Sequence, residues 1–213
     1  MKLALDVCCG KGGATQAFRQ SQDWYVLGID NNPKMRQFWM GKNVEFLEFD
    51  VTVLDWERLK EVLTNKGFDH VEFLWASPPC ERFSIANRMF PKKGIQKALS
   101  IVGAVYEGIA CLRPKFWIVE NPKGRLRWFL GKPNSSIALS NYGGKYKKPT
   151  DLWHNVTLPL IDAEMPYEPS WSSTKNQGKG STGLLRLRNP VERAMMPLGL
   201  SEAVKTAIEA QQP

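Results

Sequence analysis

LALDVCCGKGGATQAF, residues 3–18, passes from a mostly apolar run through a glycine-rich turn into a helix-like segment. Four further short apolar runs follow: YVLGI (25–29), VEFLEF (44–49), VEFLW (71–75) and FWIV (116–119). Between the runs there is room for helices near 13–20, 33–41, 55–65 and 96–112. Runs of this length, alternating with helical spacing, read as buried parallel strands joined by crossover helices. The clearest helix sets Ala98, Ile101, Val102, Val105, Ile109 and Leu112 at helical intervals and ends before Pro114. The prediction is a doubly wound α/β fold with a mostly parallel sheet, whose ligands bind beyond the carboxyl ends of the strands.

After residue 133 the pattern thins. SIALS (136–140) and LWHNV (152–156) are candidate strands, and residues 165–183, rich in Pro, Ser, Thr and Gly, read as an extended loop. LSEAVKTAIEA closes the chain as a short helix carrying Val204 and Ile208, with Ser201 as its expected cap. The 213 residues, 43% hydrophobic and without internal repeats, are expected to form a single domain, 1–213.

The net charge of +8 is concentrated. From Arg113 to Lys148 there are nine basic residues and one acid, Glu120, so the remainder of the chain is neutral. Such a segment suits a nucleic-acid backbone, or it is a solvated basic surface. Cys8, Cys9, Cys80 and Cys111 lack CxxC spacing, and two histidines are too few to complete a zinc site, so no metal is expected. No apolar run reaches the length of a membrane span and no signal-peptide pattern is present, which leads to the expectation of a cytoplasmic protein.

The residues that follow each strand carry the chemistry. Gly10, Gly12 and Gly13 allow a tight turn that brings backbone N–H groups towards a ligand, although an ordinary strand-to-helix turn has the same composition. Asp30 ends the second strand, where a carboxylate accepts ribose hydroxyls or caps a helix before Pro33. Asp50 ends the third, suited to an adenine amino group or again to a cap. The fourth strand leads into ASPPCERFS, in which Pro78 and Pro79 stiffen the turn that presents Cys80. The polar residues Glu81, Arg82 and Ser84 argue against a buried thiol, and the charge of Arg82 is expected to lower its pKa. The fifth strand delivers Glu120, a carboxyl emerging from four apolar residues and therefore expected to titrate high, unless it pairs at the surface with Lys123 or Arg125.

Taken in order, DVCCGKGG, GID, Asp50, SPPCERFS and VENP resemble the DNA cytosine-5 methyltransferase family over roughly the first 122 residues. The resemblance implies a Rossmann-like domain that binds S-adenosylmethionine through Asp6, Cys8, Gly10, Gly12, Gly13, Asp30, Asn31, Asp50, Val51 and Pro78. It implies Cys80 as nucleophile and Glu120 as the acid that acts on the cytosine ring. It implies DNA as substrate, with Arg82, Ser84, Arg88, Arg125, Lys145, Lys147 and Lys148 on the nucleic-acid side and the cytosine flipped out of a duplex. The layout is compact, similar to phage-type members.

This sequence departs from the family in four places, the first at Cys8, which stands where an aromatic is usual. NYGGKYKKPTDLW (141–153) has lysines where the family has arginines, the late arginine motif is reduced to Arg193, and a terminal glycine-asparagine motif is absent. Only residues 154–186 remain for target recognition, which leaves that task to a loop or to a partner protein. Two other readings stay open beside DNA methylation: a catalytically silent nucleic-acid-binding protein on the same scaffold, and an RNA cytosine-5 methyltransferase. A cysteine-dependent enzyme of free cytidine nucleotides is a further one, but it has no use for the basic segment.

Overall fold

A computed structural model describes residues 1–84, 94–144, 148–159 and 195–211. Five parallel strands, β1 (Lys2–Val7), β2 (Trp24–Asp30), β3 (Val44–Glu48), β4 (Phe73–Ala76) and β5 (Phe116–Pro122), form most of one sheet. Two more, β6 (Ser135–Ala138) and β7 (Pro149–His154), extend it to the order β3-β2-β1-β4-β5-β7-β6. β7 pairs antiparallel with both β5 and β6. The expected doubly wound, mostly parallel α/β fold is therefore present. The order reverses between β1 and β4, and that switch point is where such sheets open a crevice for a ligand.

Successive residues of a strand face opposite sides of the sheet, and here each side is covered. Leu3, Leu5 and Val7 point into a core built with Trp56, Leu59 and Leu63 of α2 (Trp56–Asn65) and Ala98, Val102 and Val105 of α3 (Ile95–Leu112). On the other side Ala4 and Val26 meet Phe18 of α1 (Gln16–Arg19) and Leu200, Val204 and Ile208 of the last helix. Covering both faces explains why the strands read as near-continuous apolar runs rather than as an alternation.

Some expectations are corrected. The segment at 33–41 forms a 3-10 helix, Pro33–Phe38, rather than an α-helix. Contrary to the sequence reading, α3 is long and apolar enough to cross a membrane by length and composition. It is instead packed on α2, where a Cβ on Gly108 would lie 2.7 Å from the Trp56 ring. The four-residue α4 (Arg127–Leu130) follows β5. The last helix, α5 (Leu198–Ala210), starts at Pro197, so Ser201 is not its cap. Ser201 is fully buried inside the helix, and its hydroxyl accepts a hydrogen bond from the Ala17 N–H at 3.0 Å, joining α5 to α1.

Candidate active site

Three loops meet at the carboxyl edge of the sheet because β1, β4 and β5 are adjacent, and β7 lies beside β5. The first follows β1. Cys8, Gly10 and Gly12 all have positive φ, at 55°, 50° and 71°, so the chain turns through three alternate left-handed positions that a side chain resists. The Gly10 N–H donates to Asp30 Oδ2 at 2.9 Å, and the Gly10 carbonyl accepts from Trp39 Nε1 at 2.8 Å. Arg19 stacks over the Trp39 ring at 4.7 Å and donates to the carbonyls of Gly12 and Lys11. Gly12 has to be glycine for a second reason, since a Cβ there would stand 2.7 Å from the Trp39 ring.

Asp6 lies under this turn, 1% exposed. The Thr15 hydroxyl donates to its Oδ2 at 2.6 Å, while Oδ1 is buried without a hydrogen-bond partner. Burial pushes its pKa up to about 7, against the hydrogen bond from Thr15 and the charge of Arg19. Burial also raises the Cys8 thiol, with help from the negative charges of Asp30, Asp6 and Asp50. Asp30 accepts from the N–H of Asn32 as well as from Gly10. Asn32, not Asp30, caps the helix at Pro33. Asp50 caps the short 3-10 helix Val51–Val53 and accepts from the Thr52 N–H and hydroxyl, which hold its pKa low; the Asn31 side chain adds a further bond. Thus Asp6, Cys8, the glycines, Asp30, Asn31, Asp50 and Val51 border one edge of the sheet.

The second loop follows β4 and carries Cys80. Its stiffness has a tertiary source in addition to the prolines. The Asn121 side-chain amide donates to the Pro78 carbonyl at 2.9 Å in a fully buried contact. Beyond the thiol, the Cys80 carbonyl accepts from the N–H groups of Phe83 and Ser84, each at 3.0 Å, so the chain closes into a single turn. That turn leans on the loop after β5. The Arg125 N–H donates to the Phe83 carbonyl at 2.8 Å, the Arg125 guanidinium to the Ser84 carbonyl at 2.7 Å, and a Cβ on Gly124 would lie 2.5 Å from the Phe83 oxygen.

Two electrostatic expectations change. Arg82 is exposed, and the thiol is raised rather than lowered. Burial and the nearby Glu120 raise the Cys80 pKa, and the cation that opposes them is Lys148. Arg125, expected among the phosphate contacts, is 8% exposed and is used to brace the Cys80 turn. A guanidinium so occupied has little surface left for a phosphate. Lys148, also expected on the nucleic-acid side, instead lies close enough to Cys80 and Glu120 to act on both. Ser84 is half-buried, and Arg88, Lys145, Lys147 and the 165–183 loop lie outside the described residues.

Glu120 is 3% exposed and pairs with neither Lys123 nor Arg125 in the manner of a surface acid. Burial raises its pKa, opposed by Lys148 and by a hydrogen bond with Ser77; the charge of Asp151 raises it further. Its Oε1 is buried without a hydrogen-bond partner. Behind it, Asp151 of β7 faces Asn121 across the sheet and forms a buried ion pair with Arg127, to which Ser136 contributes a hydrogen bond at 2.8 Å. A carboxyl whose protonated form burial favours and a thiol on a braced turn stand at the ends of adjacent strands, an arrangement that can serve as acid and nucleophile.

Residues 3–128 match the family model of C-5 cytosine-specific DNA methylases, a span that contains both Cys80 and Glu120. The chain belongs to that family. It is 30% identical over 219 residues to the "Probable DNA (cytosine-5)-methyltransferase" of Frog virus 3 (isolate Goorha), a match covering 87% of this chain and 94% of the viral protein. The chain is also similar in fold to a solved prophage-encoded protein of E. coli described as a "putative DNA modification methyltransferase", with a TM-score of 0.55 and 16% identity. That likeness covers 72% of this chain and 46% of the solved one, so the chain spans about half its length.

The members that sequence reasoning missed are Trp39, Arg19, Asn121 and Gly124, while Arg125 was placed on the nucleic-acid side rather than in the brace. Of these only Asn121 stood inside a quoted motif. Trp39 lies between Phe38 and Met40, and nothing linear tells that it reaches Gly10.

Proposed function

We propose that this methyltransferase uses Cys80 and Glu120 to methylate C5 of cytosine in DNA, with the base flipped out of the duplex. The single observation that carries the assignment is the Asn121–Pro78 bond, which ties the strand end bearing Glu120 to the turn presenting Cys80. Cytosine C5 is a poor nucleophile. Addition of the Cys80 thiolate at C6, after its proton has left to solvent, turns C5 into an enamine-like carbon. The protonated Glu120 donates to N3 and offsets the negative charge that develops on the ring. Once C5 carries the methyl group, its proton departs, the C6–S bond breaks, and the thiolate leaves with 5-methylcytosine released.

The residues around the glycine turn fit S-adenosylmethionine. The unpartnered Asp6 Oδ1 is a buried acceptor beside the turn, and Asp30 keeps lone pairs available beyond its two backbone bonds. Asp6 and Asp30 would hold the ligand together with the Gly10–Gly13 backbone, Asn31, Asp50 and Val51. When bound, S-adenosylmethionine supplies an electrophilic methyl group on a sulfonium. The positive segment from Arg113 to Lys148 serves the phosphate backbone. Target choice falls to residues 154–186 or to a partner protein.

The test uses the whole protein with methyl-labelled S-adenosylmethionine and duplex DNA, and separately with duplex containing 5-fluorocytosine. Label at C5 and a covalent adduct, both lost in Cys80→Ser, are the expected results. DNA binding with neither label nor adduct would support the silent nucleic-acid binder instead. Label on transfer RNA in preference to DNA would move the substrate to RNA.

A further inference from the structure

Trp128, on α4, is 70% exposed and its neighbour Phe129 43%, although Leu126 just before them is 1% exposed. The indole is displayed on a fixed mount. The Trp128 N–H donates to the Arg125 carbonyl at 2.9 Å, and the Arg125 guanidinium lies 5.9 Å from the ring centroid. Phe129 meets Phe83 edge-on at 6.2 Å. On the other side of α4, Arg127 is locked to Asp151. Arg125 in turn holds the Ser84 carbonyl, and the Ser84 N–H donates to the Cys80 carbonyl. A continuous set of short contacts therefore runs from the candidate nucleophile to the displayed ring.

The chain on either side of it is rich in basic residues. Trp128 lies within the segment whose nine basic residues face a single, buried acid, and Lys132, four residues on, is exposed. An aromatic face among cations complements a polyanion that offers unstacked bases, since stacking adds to phosphate attraction without needing a particular base.

We infer that Trp128 is a DNA-contacting residue, its indole stacking on a base beside the cytosine that leaves the duplex. The inference rests on the cytosine-5 DNA methyltransferase reading above, and it adds a positioning residue to that reaction.

The experiment measures binding of the full chain to a fluorescein-labelled random-sequence duplex over a range of salt concentrations, for the wild type, W128A, W128F and K132A. W128A is expected to weaken binding about tenfold at every salt concentration, with W128F recovering most of the loss. Because no charge is removed, W128A leaves the slope of log affinity against log salt unchanged, whereas K132A reduces it by about one. Each preparation is also tested for the 5-fluorocytosine adduct. If the wild type forms the adduct while W128A binds within about twofold of it, the inference is overturned. A changed salt slope in W128A, or W128F binding as poorly as W128A, also overturns it. A wild type that forms no adduct refutes the methyltransferase reading itself, separately from the part assigned to Trp128.

Discussion

The Asn121 side-chain amide reaches across from the end of β5 and donates to the Pro78 carbonyl at 2.9 Å, with the contact fully buried. Two motifs 43 residues apart in the chain are thereby one mechanical unit. Asn121→Ala leaves the Pro78 carbonyl unsatisfied and is expected to cost about 1–3 kcal/mol of stability. Misplacement of the Cys80 turn should lower kcat by about 10- to 100-fold, with little change in affinity for S-adenosylmethionine. Single-turnover kinetics and isothermal titration check the two halves; an equal loss in both would mean that the bond serves the whole domain.

Lys148 acts on Cys80 and Glu120 in the same direction, opposing the rise that burial imposes on each. The proposed reaction needs Cys80 deprotonated and Glu120 protonated, so its rate is expected to rise and then fall with pH, the two limbs belonging to the coupled pair. Lys148→Met removes the cation and lets both groups titrate higher. Both limbs of the pH–rate profile are expected to move to higher pH, with activity reduced at neutrality. An unmoved profile would show that Lys148 does not face the pair in solution.

Asp6 links the glycine turn to stability. Its folded pKa is raised from 3.8 to about 7, so the native state keeps a proton that the unfolded chain gives up. The stabilising contribution is complete below pH 3.8 and is lost as pH rises through about 7. That difference corresponds to roughly 4 kcal/mol. Asp6→Asn, whose amide oxygen still accepts from Thr15, is expected to remove this pH dependence and to be the more stable protein at pH 8. Urea unfolding of both proteins across pH 4–8 measures the difference, and parallel curves would show that Asp6 is not buried as described.

Arg127 and Asp151 form the ion pair behind the site, with the Asp151 side chain fully buried. Arg127→Met leaves that carboxylate without its cation and is expected to destabilise by about 3 kcal/mol. Asp151→Asn keeps the hydrogen-bonding shape and should cost about 1 kcal/mol. Thermal unfolding ranks the two; a milder effect from Arg127→Met than from Asp151→Asn would count against a buried pair.

Much of this was legible in the linear chain. A parallel strand covered on both faces must be apolar nearly throughout, so β1 to β5 stood out as short apolar runs, and ligands in such sheets collect where strands end. Reading only the residues after each run brought out the glycine turn, Asp30, Asp50, Cys80 and Glu120. The high titration of Glu120 followed from the same logic, because a carboxyl among four apolar neighbours is desolvated in any fold that buries them.

Charge placement was not legible. Arg82, two residues from the thiol, is exposed and does not prevent the rise in its pKa, whereas Lys148, 68 residues from Cys80, opposes that rise. Arg125 looked like surface charge and is a buried brace; Ser201 looked like a cap and is a bridge between α1 and α5. Periodicity along a chain reports which side of each element is covered, because that depends on local geometry. Which distant residue covers it depends on strand order, and the antiparallel entry of β7 beside β5, which brings Lys148 and Asp151 to the site, leaves no periodic mark in the sequence. The sequence alone thus determined the fold class and the family and singled out Cys80 and Glu120 as candidates, while the tertiary structure decided what holds those two residues together and which charges act on them.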